Sequence, residues 1–376
     1  MAIAGRGFSY IPNDLKHARQ QRWRIGLQHQ IGSSMLIDIG YAGTYSDNVY
    51  ISRTLQPLPQ QYWNTTNTRN DAIASDLNSN VTNPFYIANF SSLKTSNPVI
   101  YQDMSTNAFF TSPTIRKSQL LRPYPQINGL TDAYAPDGKV KTHALEVRFE
   151  RRFANSFNLN AAYTRMYGRA ADFFFNEYDS QPTWRESGNT RPHRVTATGV
   201  WELPFGKGKL IAREGLMSHI FGGFQIAATY EWQPGPLLGF GNVFFYGDPS
   251  TIANGARTLE NWFNTSGVGC SETPGPNSGF ERCTSRGPAS FQARLFPVNI
   301  AGLRADSTNI WNANVQRDFR LYERARLQFR FDVLNLLNHS TFAAPDVNPL
   351  STTFGKVTNT TGTPPRFLQI QAKIRF

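Results

Sequence analysis

The sequence predicts an all-β chain: an antiparallel, up-and-down transmembrane β-barrel, present in part, with about nine to ten membrane strands. Three observations lead there. Apolar and polar residues alternate with period two in segment after segment, the pattern of strands with one apolar and one wet face. Short turns and long polar loops take turns between those segments. Aromatic residues make up 13% of the chain, with 28 Phe, 15 Tyr and 7 Trp, yet mean hydropathy is only −0.43. A wall whose alternate residues meet lipid accounts for that combination, because half of each strand stays polar.

The last residues carry the clearest alternation. Leu368, Ile370, Ala372, Ile374 and Phe376 fall on one face, and Gln369, Gln371, Lys373 and Arg375 on the other. Near the start, Trp23, Ile25 and Leu27 alternate with Arg22, Arg24 and Gln28. After a turn at 31–34, Met35, Ile37, Ile39 and Tyr41 continue the pattern, which predicts a hairpin of membrane-spanning length. In Lys141–Phe153, Leu145, Val147 and Phe149 oppose Glu146, Arg148, Glu150 and Arg152. A tight turn at 154–156 leads into Phe157, Leu159, Ala161 and Tyr163. Two further strands place Val195, Ala197, Gly199 and Trp201, then Phe224, Ile226, Ala228, Tyr230 and Trp232, on their apolar faces. Trp311, Ala313 and Val315 mark the next. Leu327, Phe329, Phe331 and Val333 mark the one after, opposite Arg326, Gln328, Arg330 and Asp332.

The connections near 31–34, 154–156, 204–221 and 319–324 are shorter, and those near 46–138, 166–192, 235–306 and 338–364 are longer. That is the asymmetry of outer-membrane barrels, which have short periplasmic turns and long extracellular loops. Nine membrane-length strands is an odd number, so the chain is expected to begin partway through a larger barrel.

Two sets of side chains are candidates for a role. Glu146, Arg148, Glu150, Arg326, Gln328, Arg330, Asp332 and Lys373 are expected to face a lumen. They would either line a solute path or, as the ordinary reading has it, keep a wet wall wet through cross-strand ion pairs. Trp23, Tyr41, Trp201, Tyr230 and Trp232 are candidates for the interfacial girdles. Their alternative is packing against a second sheet.

Other function classes find little support. No apolar stretch is long enough for a helical membrane span. The opening MAIAGRGFSYIPNDLK has neither the charged nor the apolar region of a signal peptide. The net charge of +12 is scattered along strands, so no nucleic-acid partner is expected. Cys270 and Cys283 lie in one Gly-, Pro- and Ser-rich stretch, and would form a disulfide in an oxidising space or stand as two thiols otherwise. The six histidines, at 17, 29, 143, 193, 219 and 339, form no HExxH pair, and there is no G-x-S-x-G. Gly206-Lys207-Gly208-Lys209-Leu210 lacks the remaining residues of a phosphate loop and reads as a turn. The sequence therefore predicts no catalytic residue, no metal and no cofactor.

Four motifs, in order, resemble those of Oar-like TonB-dependent outer-membrane transporters. Arg191-Pro192-His193-Arg194 followed by Trp201-Glu202-Leu203-Pro204-Phe205-Gly206-Lys207-Gly208-Lys209 is similar to the family's periplasmic-turn signature. Trp262-Phe263-Asn264-Thr265 is similar to a loop motif of the same group, as is Phe331-Asp332-Val333-Leu334-Asn335-Leu336-Leu337-Asn338-His339. The terminal strand, with Leu368, Ile370, Ala372, Ile374 and Phe376, resembles the signal read by the barrel-assembly machinery. The resemblance implies a barrel of about 22 strands, residence in a Gram-negative outer membrane, and contact with its lipid. It also implies a plug domain and a TonB-contacting box, neither of which this sequence shows, and import of an extracellular solute. A soluble secreted β-sheet protein that binds carbohydrate through its Asn-, Thr- and aromatic-rich loops is the competing expectation.

Overall fold

The computed structural model describes residues 4–376 apart from 155, 207–208, 210, 212–213, 323–324 and 360–362. Asn155, Lys207, Gly208, Leu210, Ala212, Arg213, Glu323 and Arg324 of the expected turns, and part of the expected 338–364 loop, therefore lie outside the described residues.

Nine strands form one wall: β1 (Arg19–Ile31), β2 (Met35–Thr54), β3 (Leu130–Ala154), β4 (Phe157–Ala171), β5 (His193–Glu202), β6 (Phe224–Gln233), β7 (Thr308–Arg320), β8 (Arg326–Leu334) and β9 (Phe367–Arg375). Each pairs antiparallel with the next in chain order. Phe8–Tyr10 adds a short parallel strand beside the start of β3, and Trp184–Glu186 a short antiparallel one beside the end of β4. The wall is open. β1 and β9 are its two edges, and among the described residues they do not pair with each other.

Register sorts the side chains. One rung runs Glu202, Gln225, Gln316, Arg330, Gln371 from β5 to β9. The adjoining rung runs Phe157, Trp201, Ile226, Val315, Phe331, Ile370 from β4 to β9. Partners across a ladder share a face, and a slip of one residue would exchange the faces. The alternation read along each strand thus becomes two continuous surfaces, one polar and one apolar.

The strands outrun the expected loop boundaries. β2 has 20 residues and β3 has 25, where about 9–11 tilted residues cross a membrane. The loop expected over 46–138 shrinks to 55–129, and β4 reaches Ala171, past the expected start at 166. The β2–β3 register shifts between Ser46 and Val49 and twice more up to Arg53, and Asn48 has φ +52° there. Such bulges bend and twist a strand, and asparagine tolerates the left-handed region. Alternation weakens at the bulges, which is why the sequence pattern faded while the ladder went on.

The hydrophobic core is not in the wall. It lies in the third long loop, where Leu238, Phe240, Phe245, Ile252, Trp262, Phe263, Phe280, Phe296, Ile300 and Leu303 bury one another with Phe354 of the last loop. Ring centroids stand 4.8 Å apart for Phe245–Phe280 and 4.9 Å for Phe280–Phe354. The expected long loop of 235–306 is a loop packed on its own apolar cluster. Its aromatics are spaced without period, so only their number hinted at burial.

The connection over 204–221 is not a plain turn. It contains the helix Gly215–Phe221. Gly206 (φ +108°) sits so close to Gly222 that a Cβ on Gly206 would lie 2.9 Å from the Gly222 Cα. That close approach is the physical need for glycine in Leu203-Pro204-Phe205-Gly206.

Candidate functional site

The polar face of the wall gathers the residues expected to face a lumen. Arg24 reaches Glu146 at 3.2 Å, Arg148 reaches Glu150 at 3.1 Å, and Arg330 reaches Asp332 at 2.7 Å. Arg194–Glu231 at 3.0 Å extends the series onto β5 and β6. Arg375 donates to Gln328 at 3.0 Å, and Lys373 is the register partner of Gln328. Arg326 pairs in register with Arg320 and Arg375. Most of these groups are solvent-exposed, so each pair adds little stability. Their common feature is the shared face.

The girdle candidates all sit on the apolar face but not in one row. Trp23 and Tyr41 flank His143, with Tyr41 Oη 2.6 Å from its Nδ1. Trp232 lies by His193, which is 2.8 Å from Tyr163 Oη. Tyr230 stacks on Trp311 at 4.2 Å. These sit toward the long loops, whereas Trp201, near the end of β5, sits toward the short turns. Arg191-Pro192-His193-Arg194 also separates from Trp201–Lys209: the former enters β5 from the long-loop end, and the latter leaves it at the short-turn end. The two halves of that motif mark opposite ends of one strand.

Above the wall the long loops form a cap, and the segment between β4 and β5 is its keystone. Phe173, Phe174 and Phe175 each lie under an arginine: Arg185 of the same segment at 4.9 Å, Arg53 of β2 at 5.2 Å and Arg294 of the third loop at 5.2 Å. Arg185 also holds Asp172 through two 3.0 Å hydrogen bonds. Glu177 accepts from the Leu58 N–H at 2.9 Å and pairs with Arg122 at 3.3 Å, which docks the first loop. The third loop docks through Arg294 and Arg304. Buried Arg304 donates to the carbonyls of Thr190 and Gly235, each at 3.1 Å, and to the carboxylate of Glu186. Burial lowers the pKa of both guanidiniums, with the Arg185 charge adding to this at Arg294. Asn64 and Gln292, both buried, stitch the first loop to the third through a 2.6 Å amide–amide hydrogen bond.

Two clefts of ≈ 480 Å³ flank this keystone. One is lined by Ser52, Arg53, Thr54 and 172–177. The other lies between Tyr167, Arg169, Trp184 and Arg185 on one side and Leu295, Val298 and Asn299 on the other. Sequence reading missed them. A run of three phenylalanines in a polar loop was the available signal, whereas the burial of Arg294 and Arg304 leaves no trace in sequence.

The remaining motifs are structural. Phe263 is fully buried, and the Trp262 indole N–H donates to the Arg304 carbonyl at 2.8 Å. Asn335, with φ +50°, closes the neck of the last loop. Its amide nitrogen donates to the carbonyls of His339 and Pro364, each at 3.0 Å, and its oxygen accepts from the His339 N–H at 2.9 Å. Asn335→Ala should cost about 1–3 kcal/mol and speed proteolysis of 339–364, because it strands buried partners and disfavours the left-handed backbone. Limited proteolysis of the two proteins checks this. Cys270 and Cys283 are joined in a disulfide, beside buried Glu281 with Arg286 at 2.8 Å. Reduction should lower the thermal stability of the cap by about 2–4 kcal/mol without altering the wall, as calorimetry with and without reductant would read.

Among the described residues no group of three or more His, Cys, Asp or Glu could hold a metal ion. Among solved structures, the chain is similar to the outer-membrane transporter YddB of Escherichia coli, at 11% identity and TM-score 0.42, over 98% of this chain and 34% of that one. It is also similar to the pyoverdine receptor FpvA of Pseudomonas aeruginosa PAO1, at 11% identity and TM-score 0.37, over 96% and 30%. The toluene transporter TodX of Pseudomonas putida aligns at 7% identity and TM-score 0.21, over 96% and 61%. The chain thus spans about a third of the length of the first two. No curated protein matches it. The family model for the outer membrane beta barrel domain matches residues 2–371. With that match over nearly the whole chain, and a wall whose apolar surface no second sheet covers among the described residues, the chain belongs to the outer membrane beta barrel domain family.

Proposed function

We propose that this chain forms part of the pore wall, and the solute-receiving loops, of a TonB-dependent outer-membrane receptor that takes up an extracellular solute. The observation that carries the reading is the polar rung that runs in register from β5 to β9, with long, packed loops at one end of the wall. A water-filled lumen needs such a face, and a substrate-binding cap needs loops held in place. The clefts beside Phe173–Phe175 receive the solute, and Glu146, Arg148, Glu150, Arg326, Gln328, Arg330, Asp332 and Lys373 line its way through the wall. The free backbone edges of β1 and β9 call for further strands, because unpaired amides in hydrocarbon cost several kcal/mol each. The TonB complex would act through regions outside this chain, and the barrel-assembly machinery at β9. No enzymatic step is assigned to it.

The competing soluble carbohydrate-binding sheet does not survive. It required the apolar strand faces to pack on each other, yet Ile25, Leu27 and Ile370 are each more than 70% exposed. Family membership places the chain in the outer membrane.

The test compares native cells carrying or lacking the full-length protein, by mass spectrometry of small solutes remaining in the medium, with and without a protonophore. At least one solute should be depleted only by cells with the protein, and only while the inner membrane is energised. Identical depletion profiles would overturn the proposal.

A further inference from the structure

The helix Gly215–Phe221, between β5 and β6 at the short-turn end, has no part in the proposed solute path. Leu216, Met217, Ile220 and Phe221 form one stripe, since residues at i, i+1, i+4 and i+5 cluster on one side of a helix. All four are exposed, Leu216 at 77% and Met217 at 56%. Ile211, just before the helix, is exposed too, at 50%. For a segment this short, that is a large exposed apolar surface, touched among the described residues by the Phe205 ring at Phe221, 6.3 Å between centroids.

The helix is held on a definite side of the wall. Arg317 of β7 donates to the Ile220 carbonyl at 2.6 Å. Arg317 is the register partner of Phe224 on β6 and of Phe329 on β8, so it belongs to the apolar face. Its guanidinium lies over the Phe224 and Phe319 rings, at 5.1 and 4.3 Å. A guanidinium that lies over aromatic rings of the apolar face and also donates to a helix carbonyl ties the helix to that face. The Gly206–Gly222 approach and the backbone bonds Gly206 N to Ile211 O and Ile211 N to Pro204 O hold Pro204, Gly206, Ile211 and Gly222 together. The helix joins two strands in the middle of the wall, far in ladder order from the free edges, so additional wall strands would not cover it. A domain filling the lumen would meet the opposite face.

We propose that Gly215–Phe221 is an interfacial foot. It lies in the periplasmic leaflet of the outer membrane, its apolar stripe continues the lipid-facing surface of β5–β7, and its occupant is phospholipid. The foot fixes how deep the middle of the wall sits. The inference rests on the membrane placement of the apolar face and not on solute uptake, so failure of one leaves the other standing.

The test uses the full-length protein in phospholipid vesicles, with an NBD fluorophore on a cysteine replacing Leu216, or replacing Ser75 in the first long loop as an exposed control. Cys270 and Cys283 are bonded to each other and take no label without reductant. Heat-modifiable gel migration verifies that each labelled protein is folded. The Leu216→Cys probe should emit to the blue of the Ser75→Cys probe. It should lose most of its intensity to a nitroxide carried near the lipid headgroup, and little to aqueous iodide; the Ser75→Cys probe should show the reverse. If the two probes respond alike to iodide and to the nitroxide lipid, there is no foot. If the Leu216→Cys signal follows the protein-to-lipid ratio and not the nitroxide, the stripe meets a second copy of the chain, and the proposal is likewise overturned.

Discussion

Arg304→Ala should detach the second and third long loops from each other while leaving the wall intact. Its guanidinium is almost wholly buried and binds the Glu186 carboxylate and the Thr190 carbonyl of the second long loop and the Gly235 carbonyl of the third. Removing one partner of a buried pair leaves the others desolvated and unpaired, at a cost of about 3–5 kcal/mol. The Trp262 indole, which bonds the Arg304 carbonyl, would lose its fixed neighbour. The damage should stay in the cap, because the nine strands hold one another by ladders that do not pass through it. Hydrogen exchange on the folded protein separates the two outcomes. Faster exchange across 184–190 and 235–305, with the wall unchanged, is the expected result. Unchanged protection of the cap would mean that the bond network around Arg304 is not what joins the loops.

Phe376→Ser should sharply lower the amount of protein reaching the outer membrane. Phe376 follows the last residue of β9 and is 96% exposed, so it packs on nothing within the described fold. Its loss should cost the folded wall almost nothing, and this separates an assembly role from a stability role. The contrast is Asn78→Ala in the first loop. Asn78 bonds the Ala74 carbonyl at 2.8 Å, so its removal costs about 1 kcal/mol of local stability. If Phe376 is read during assembly, the residue with the smaller folding role has the larger effect on outer-membrane level, as quantitative blotting of membrane fractions would show. Equal levels for the two variants would remove Phe376 from the assembly signal proposed for Leu368, Ile370, Ala372, Ile374 and Phe376.

The wall was legible in the sequence because a lipid-facing strand leaves a mark at every second residue. Leu145, Val147 and Phe149 against Glu146, Arg148 and Glu150 gave β3 its place and its facing, and the ladder partners agree. The extent of the strands was less legible. Above the membrane both faces are wet and β2–β3 is bulged, so the pattern stopped while the hydrogen bonds continued to Thr54 and back to Leu130. The cap was hidden for a different reason. Its core is built from aromatics at irregular spacing, brought together by long-range closure such as Asn64 to Gln292, and nothing local in sequence records that. The foot helix was hidden inside what reads as a turn, because seven residues are too few for a helical period to stand out. Asn335 shows the same limit at one position: its motif was noticed, but the role of its amide depends on Pro364, which reaches it only after the last loop closes.

The reading of the chain as membrane wall depends on two faces that differ in what they touch. Single cysteines along β3, at 145 to 150 in turn, in the protein reconstituted in lipid, test this directly. A charged, membrane-impermeant maleimide should label positions 146, 148 and 150, and spin labels at 145, 147 and 149 should respond to oxygen dissolved in the bilayer in preference to a water-soluble paramagnet. Labelling without alternation, or with the two sets exchanged, would contradict the assignment of lipid and water to the two faces of the wall.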